Sequence, residues 1–197
     1  MNRTGRTLLG CLTLLAVLSM LPPLGNLLMR MMLTQMLVQI PLIFAVAAIW
    51  AGRMHWAAGA RWRAWNVQGA SGLLSAALVS AFWMTPIALD HAAADSSWEA
   101  AKVISVAIAG FAAGASWTLG SLVTRAFYVG NMLWMSVTVG MLYQESTQRY
   151  CNAYLWDDQA MTGQALIIAS IGIASIWAAR AAGLSWRAMT GRPDVPL

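Results

Sequence analysis

The sequence predicts an all-α membrane protein in which residues 1–197 form a single bundle of about six transmembrane helices, with both ends in the cytoplasm. Only 10% of the residues are charged, 59% are hydrophobic, and the mean hydropathy is +0.62. A soluble domain carries roughly 25% charged residues, so this chain lacks the charges that a water-facing surface needs. The charged residues are also separated by stretches as long as a membrane span. Basic residues fall mostly in the segments on one predicted side of the membrane, and acidic residues mostly in those on the other side.

The spacing of the charges locates the helices. Six stretches of 19 to 26 residues contain no charged side chain. A helix needs roughly 20 apolar residues to cross about 30 Å of hydrocarbon, and every stretch is near that length. The predicted spans are residues 8–24, 29–51, 67–89, 103–123, 126–143 and 160–179.

The first span is short, because Pro22 and Pro23 cannot continue a helix past Leu21. Arg3 and Arg6 before an apolar run resemble the start of a signal peptide. A signal peptide ends in a small-residue cleavage site, and Leu-Pro-Pro-Leu at 21–24 offers none. We therefore expect a retained anchor helix.

The orientation follows from the basic residues. With the amino terminus inside, nine of the 12 Lys and Arg residues lie in inner segments and three in outer segments, as the positive-inside rule requires. Trp50, Trp56, Trp62 and Trp65 predict an aromatic belt at the inner boundary, where basic side chains also contact anionic lipids. These arginines account for the net charge of +5, so a nucleic acid partner is not needed.

The residue types exclude several kinds of chemistry. His55 lies in a predicted inner loop and His91 in an outer loop, so the two histidines cannot ligate one haem or one metal together. The sequence contains no Gly-rich phosphate loop between a strand and a helix, and no Ser/His/Asp set that one face could assemble. We therefore expect no enzymatic activity.

Polar and sulfur-containing side chains concentrate at the outer ends of the predicted helices. Histidine, cysteine and methionine together suit copper, since soft sulfur ligands select Cu(I). Methionines in an apolar chain also serve as packing, so copper remains one of two interpretations and no cofactor follows from composition alone. The candidate metal ligands are His91, Cys151, Asp158 and Met84.

Other residues predict contacts between helices. Gly110 and Gly114 form a GxxxG pattern, which lets a neighbouring backbone approach closely, and the third predicted helix is the expected neighbour. Gln35 and Gln39 lie one turn apart on one face, and Asn131 lies within the fifth span. Polar side chains inside a span usually face the bundle or a partner, so these five residues are candidates for helix packing or partner contact.

Three motifs resemble those of the CtaG family, membrane proteins linked to copper delivery and to the assembly of caa-type cytochrome c oxidase. The first is Gln-Met-x-x-Gln-x-Pro-Leu at 35–42, and the second is Trp-x-x-Pro at 83–86 followed by Asp90, Glu99 and Trp117. The third is Asp158-Gln159 before a small-residue final helix. The resemblance covers roughly residues 30–180. It implies a multi-pass protein of the bacterial inner membrane.

The chain departs from the family where metal ligands are expected. Gln35 stands where the family has histidine, and Ala100 and Lys102 replace the histidines expected after Glu99. The resemblance therefore implies a non-catalytic accessory or assembly subunit of a copper- or haem-containing complex, with other membrane subunits as partners. Copper binding and delivery is the alternative. A small transporter ranks last, because Arg30, Lys102 and Arg125 are predicted at span ends, where long side chains reach the interface.

Overall fold

The computed structural model describes residues 3–19, 25, 28, 31–54, 60–145 and 156–190, and all regular structure in these ranges is helical. His55, Cys151 and the Pro22-Pro23 pair lie outside them. The helices are α1 (Arg3–Leu18), α2 (Met32–Arg53), α3 (Ala60–Trp65), α4 (Ala70–Trp83), α5 (Pro86–Ala94), α6 (Ser96–Trp117), α7 (Leu122–Glu145) and α8 (Trp156–Thr190).

Three of these helices have the length and apolarity to cross a membrane: α2, α6 and the segment Asp157–Arg180 of α8. A fourth crossing results if Val67–Trp83 and Pro86–Ala94 together form one bent span. In α1, the apolar part is the shorter segment Leu9–Leu18. The chain is therefore an all-α protein with several helices suited to a membrane.

The predicted third span is not one straight helix. Its two halves, α4 and α5, meet at an angle of 70°. Thr85 between them is extended (φ −76°, ψ 135°), because the following proline disfavours the helical conformation, and Pro86 lacks an amide hydrogen to donate. The chain therefore turns sharply at residues 84–85.

Helix α6 begins seven residues before the predicted start at 103. Asp95 caps it: Oδ1 accepts the Ser97 backbone N–H at 2.9 Å, and Oδ2 accepts the Ser97 hydroxyl at 2.8 Å. Both bonds from Ser97 lower the pKa of the Asp95 carboxyl below its usual value, and the bond from the backbone has the larger effect. The earlier start places Glu99 and Lys102 inside the helix instead of before it.

Helix α6 lies at the centre of the described bundle, packed on α2 and on α4. Its contact with α4 is fixed by Asn66, whose Nδ2 donates to Ser116 Oγ at 2.7 Å and whose Oδ1 accepts the Gly72 N–H at 3.0 Å. Gly69 makes the turn before α4 with φ +73°, where an added Cβ would lie 3.1 Å from the backbone nitrogen of Gly120. Helices α7 and α8 pack mainly on each other, and they also contact α4 and the start of α2.

Candidate functional site

The most polar part of the described interior lies between α2 and α6, and we call its three side chains the polar ring: Gln39, Glu99 and Lys102. Lys102 Nζ lies 2.5 Å from Glu99 Oε2 and donates to Gln39 Oε1 at 3.1 Å. Gln39 Nε2 donates to Glu99 Oε1 at 3.3 Å, which closes the ring. Gln39 and Lys102 are fully buried, and the Glu99 side chain is 19% exposed.

The ring is built on an irregular turn of α2. Residues Gln35–Gln39 form a π-helical turn, a conformation often found at functional sites. The turn is wider than an α-helical one, so residues four apart lie nearly in line, and both Gln35 and Gln39 are fully buried. This turn directs the Gln39 amide toward the side chains of α6.

The ring also holds the end of α1. Gln39 Nε2 donates a second bond, at 3.2 Å, to the backbone oxygen of Ser19, and Ser19 itself is only 2% exposed. A single amide thus joins the segments that carry Ser19, Gln39 and Glu99. Loss of this amide would leave a buried carbonyl and a buried carboxylate each without one of its donors.

The electrostatics of the ring are those of a buried ion pair. Taking an ammonium and a carboxylate out of water is costly, and the cost is recovered only when their geometry is good and further hydrogen bonds satisfy them. Here Gln39 supplies those bonds to both ions. Because the Lys102 ammonium already lies between two oxygens, an incoming cation would have to displace it.

The prediction that Lys102 reaches the membrane interface from a span end is wrong. It assumed that the fourth span starts at 103, whereas α6 starts at Ser96 and carries Lys102 into its second turn. A signal for this was present in the sequence: Glu99 and Lys102 are three residues apart, the spacing at which side chains of one helix meet. Only the contact of this pair with Gln39, on the facing helix α2, could not be predicted from the sequence.

The predicted metal ligands lie on different elements. His91 is exposed and stacks on Trp98, with 5.0 Å between the ring centroids. Asp158 Oδ2 accepts the Met32 backbone N–H at 2.6 Å. In the part of the chain that the structure describes, no three His, Cys, Asp or Glu side chains form a group that could hold a metal ion. Cys151 lies outside that part.

Three methionines lie in or against one apolar cluster, and the backbone of one of them, Met32, donates to Asp158. Met32 and Met36 are buried in one cluster with Leu89, Tyr143 and Leu166, and Met84 packs against it. The Tyr143 hydroxyl donates to the Met84 backbone oxygen at 2.9 Å, which fixes the end of α4 against α7. The predicted ligand Met84 therefore packs against a cluster that contains two further methionines.

Gly110 and Gly114 contact α2. A Cβ added at Gly110 would lie 2.9 Å from Phe44 Cα, and one added at Gly114 would lie 2.7 Å from Ala48 Cα. The expected neighbour was the third predicted helix, which corresponds to α4. Because α6 lies between α2 and α4, its glycines pack against α2 and a different face packs against α4.

Asn131 lies on the outside of the described bundle. Its side chain is exposed on α7 and makes no hydrogen bond to another residue in the described ranges. The adjacent Gly130 has open space where a Cβ would lie. The expectation that Asn131 bonds another helix of the same bundle is therefore not met by the described helices, and a contact with a partner remains the prediction.

No model of a known family, no curated protein and no solved structure matches this chain. The likeness to the CtaG family rests on the motifs at residues 35–42, 83–90 and 158–159. The structure brings the first of these motifs together with Glu99 and Lys102 in the polar ring.

Proposed function

We propose that the chain is a non-catalytic accessory or assembly subunit of a copper- or haem-containing complex in a bacterial inner membrane. In this proposal six helices cross the membrane: α1, α2, the bent pair α4–α5, α6, α7 and α8. The observation that carries it is the polar ring, in which an ammonium of the chain itself fills the polar centre of the bundle.

The ring does not fit copper. The resemblance to the CtaG family predicts histidines at position 35 and near position 102. The structure instead brings together Gln39, Glu99 and Lys102. Amide and carboxylate oxygens are hard ligands, whereas Cu(I) prefers thiolates, thioethers and imidazoles. The ammonium supplies the positive charge that a metal would bring, so the ring supports a scaffold without metal handling at this position.

Purification of the tagged chain from its native membranes in a mild detergent tests the proposal. We expect haem- or copper-containing membrane subunits to be recovered with it, and not with an unrelated inner-membrane protein that carries the same tag. Recovery of the chain alone at its native expression level would contradict the proposal.

A second candidate function, the binding and delivery of copper as cargo, is favoured by the methionine cluster of Met32, Met36 and Met84. Thioethers suit Cu(I), and Met32, Met36 and Met84 share one cluster. Elemental analysis of the same purified chain after loading with Cu(I) tests this. Stoichiometric copper that Met84→Leu removes would support it, whereas Met141→Leu, which changes an exposed methionine of α7, is the control and should retain the copper. Trace copper in every variant would contradict it.

The orientation gives a separate prediction. In a variant without native cysteines, a cysteine at Ala94, exposed at the end of α5, should react with an impermeant thiol reagent in intact cells. A cysteine at Gly59, which lies outside the described residues, should react only after lysis. The reason is the excess of basic residues on the inner side. Labelling of the cysteine at position 59 in intact cells would show that the orientation is the opposite of the proposed one.

A further inference from the structure

We infer that the polar ring is a proton-binding site, in which a proton taken up by Glu99 opens the ring and releases the end of α1. The inference rests on the contacts among Gln39, Glu99, Lys102 and Ser19. It goes beyond the proposed function, and it depends neither on the identity of the complex that the chain serves nor on the orientation of the chain in the membrane.

Glu99 connects the ring to the aqueous phase. Gln39 and Lys102 are fully buried, whereas the Glu99 side chain is 19% exposed. Glu99 also lies in the first turn of α6, at the end of a helix that is suited to cross a membrane. A proton from the water at this end of α6 can therefore bind to the carboxylate. It converts the carboxylate into a neutral carboxylic acid and breaks no covalent bond.

Proton uptake by Glu99 changes the state of Lys102. The ammonium would keep its hydrogen bond to Gln39 Oε1 but lose its counter-ion. A buried charge without a counter-ion is strongly unfavourable, and charged groups inside a membrane span are usually functional. Lys102 lies in the second turn of α6, where its long side chain can extend toward the end of the helix and water. We therefore expect the ammonium to leave the ring when Glu99 is protonated.

No other described group is placed to replace Glu99. Among the described residues, Glu99 is the only acidic side chain in an ion pair with Lys102. Of the helices packed on α6, α4 carries no charge, and the charge of α2 is Arg53, at the opposite end of that helix. The other titratable groups near the start of α6 are Asp90, His91 and Asp95. The Asp95 carboxylate accepts both hydrogen bonds from Ser97.

The ring holds the end of a helix that has few other buried contacts. Gln39 Nε2 donates to the Ser19 backbone oxygen, and the bond from Lys102 to the oxygen of the same amide fixes the direction of that donor. Helix α1 packs on α2. Its last turns expose large apolar side chains, namely Leu14, Leu15, Val17 and Leu18. Segments with few buried contacts open at a low cost in free energy. Loss of Lys102 from the ring should therefore loosen the end of α1.

A nitroxide spin label beside Ser19 tests the inference in the full chain, embedded in lipid discs. The label is attached at Leu18→Cys, a position 37% exposed, in a variant without native cysteines. We expect an immobilised label at neutral pH, a shift to a mobile label as the pH is lowered, and reversal when the pH is restored. A label at Ile168→Cys, an exposed position of α8, should keep the same mobility throughout.

Variants distinguish Glu99 from the other titratable groups. Glu99→Gln imitates the neutral acid, so its label should be mobile already at neutral pH. Glu99→Gln/Lys102→Met removes both charges, so its label should stay immobilised at every pH, and this variant decides the question if the single variant does not fold. Asp95→Asn and His91→Gln remove neighbouring titratable groups and should keep the response of the wild type.

Infrared spectroscopy detects the proton itself. Acidification should produce a protonated-carboxyl band that the wild type shows and Glu99→Gln/Lys102→Met lacks. Its midpoint pH should equal that of the change in label mobility, because one proton causes both. A wild-type label that stays immobilised after this band has appeared, or a double variant that responds to pH like the wild type, overturns the inference. The proposed function is tested separately by the co-purifying subunits, so either result leaves it standing.

Discussion

Lys102→Met should destabilise the folded bundle by about 3–5 kcal/mol, because it removes one member of a buried ion pair and leaves the other without its partner. The Glu99 carboxylate would still accept the hydrogen bond from the Gln39 amide, which is 3.3 Å long, but it would no longer have the Lys102 ammonium as its counter-ion. The measurement is the thermal unfolding midpoint of the purified chain in detergent or in lipid discs. The end of α1 should loosen as well, because the Gln39 amide bonds both Glu99 and Ser19.

The double variant Glu99→Gln/Lys102→Met distinguishes the ion pair from simple packing. It removes both charges, so it should recover most of the stability lost in the single variant. Arg63→Met, which removes an exposed charge of α3, is the control and should have a small effect. If Lys102→Met unfolds at the same temperature as Arg63→Met, the ring does not hold the bundle together.

Gly114→Leu should cost about 3 kcal/mol or more, the upper range of overpacking, because the added side chain meets backbone. A Cβ at Gly114 alone would lie 2.7 Å from Ala48 Cα, so α2 and α6 would have to separate. The measurement is again the unfolding midpoint, together with recovery of any co-purifying subunits.

Gly172→Leu is the matched control, because Gly172 also lies in a membrane-suited helix but has nothing within 4 Å of an added Cβ. Leu122→Ala should likewise be mild, since Leu122 is 77% exposed. Equal tolerance of Gly114→Leu and Gly172→Leu would show that α2 and α6 do not pack through the glycines.

The positions of the helices could be predicted from charge spacing, but the break at residues 84–85 and the start of α6 could not. Each of the six predicted spans overlaps a helix of the structure. The predicted start of α6 at residue 103 is seven residues too late, because charge spacing places the edge of the membrane at Lys102. That rule holds for a lone charge and fails for Lys102, which carries its counter-ion Glu99 on the same helix.

The site was predictable only in part, for a related reason. Gln35 and Gln39 stood out as polar residues in an apolar span, and the structure buries both. Their partners depend on which helices are neighbours, and charge spacing carries no information about neighbours. Gly110 and Gly114 are a second example. Their spacing predicts close packing of a neighbouring helix, but it does not say which helix, and in the structure the neighbour is α2 because α6 is central.

The polar ring also sets a condition on how the chain is inserted into the membrane. The bond from Lys102 to Gln39 joins residues 63 positions apart. At roughly 5–20 residues per second, ribosomes take about 3–13 s to synthesise that interval. During this time α2 has left the ribosome with two glutamines and no α6 to cover them. We therefore expect the insertion machinery to shelter α2 until α6 arrives, and delayed release of α2 from the insertase is the expected signature in a stalled-chain cross-linking experiment.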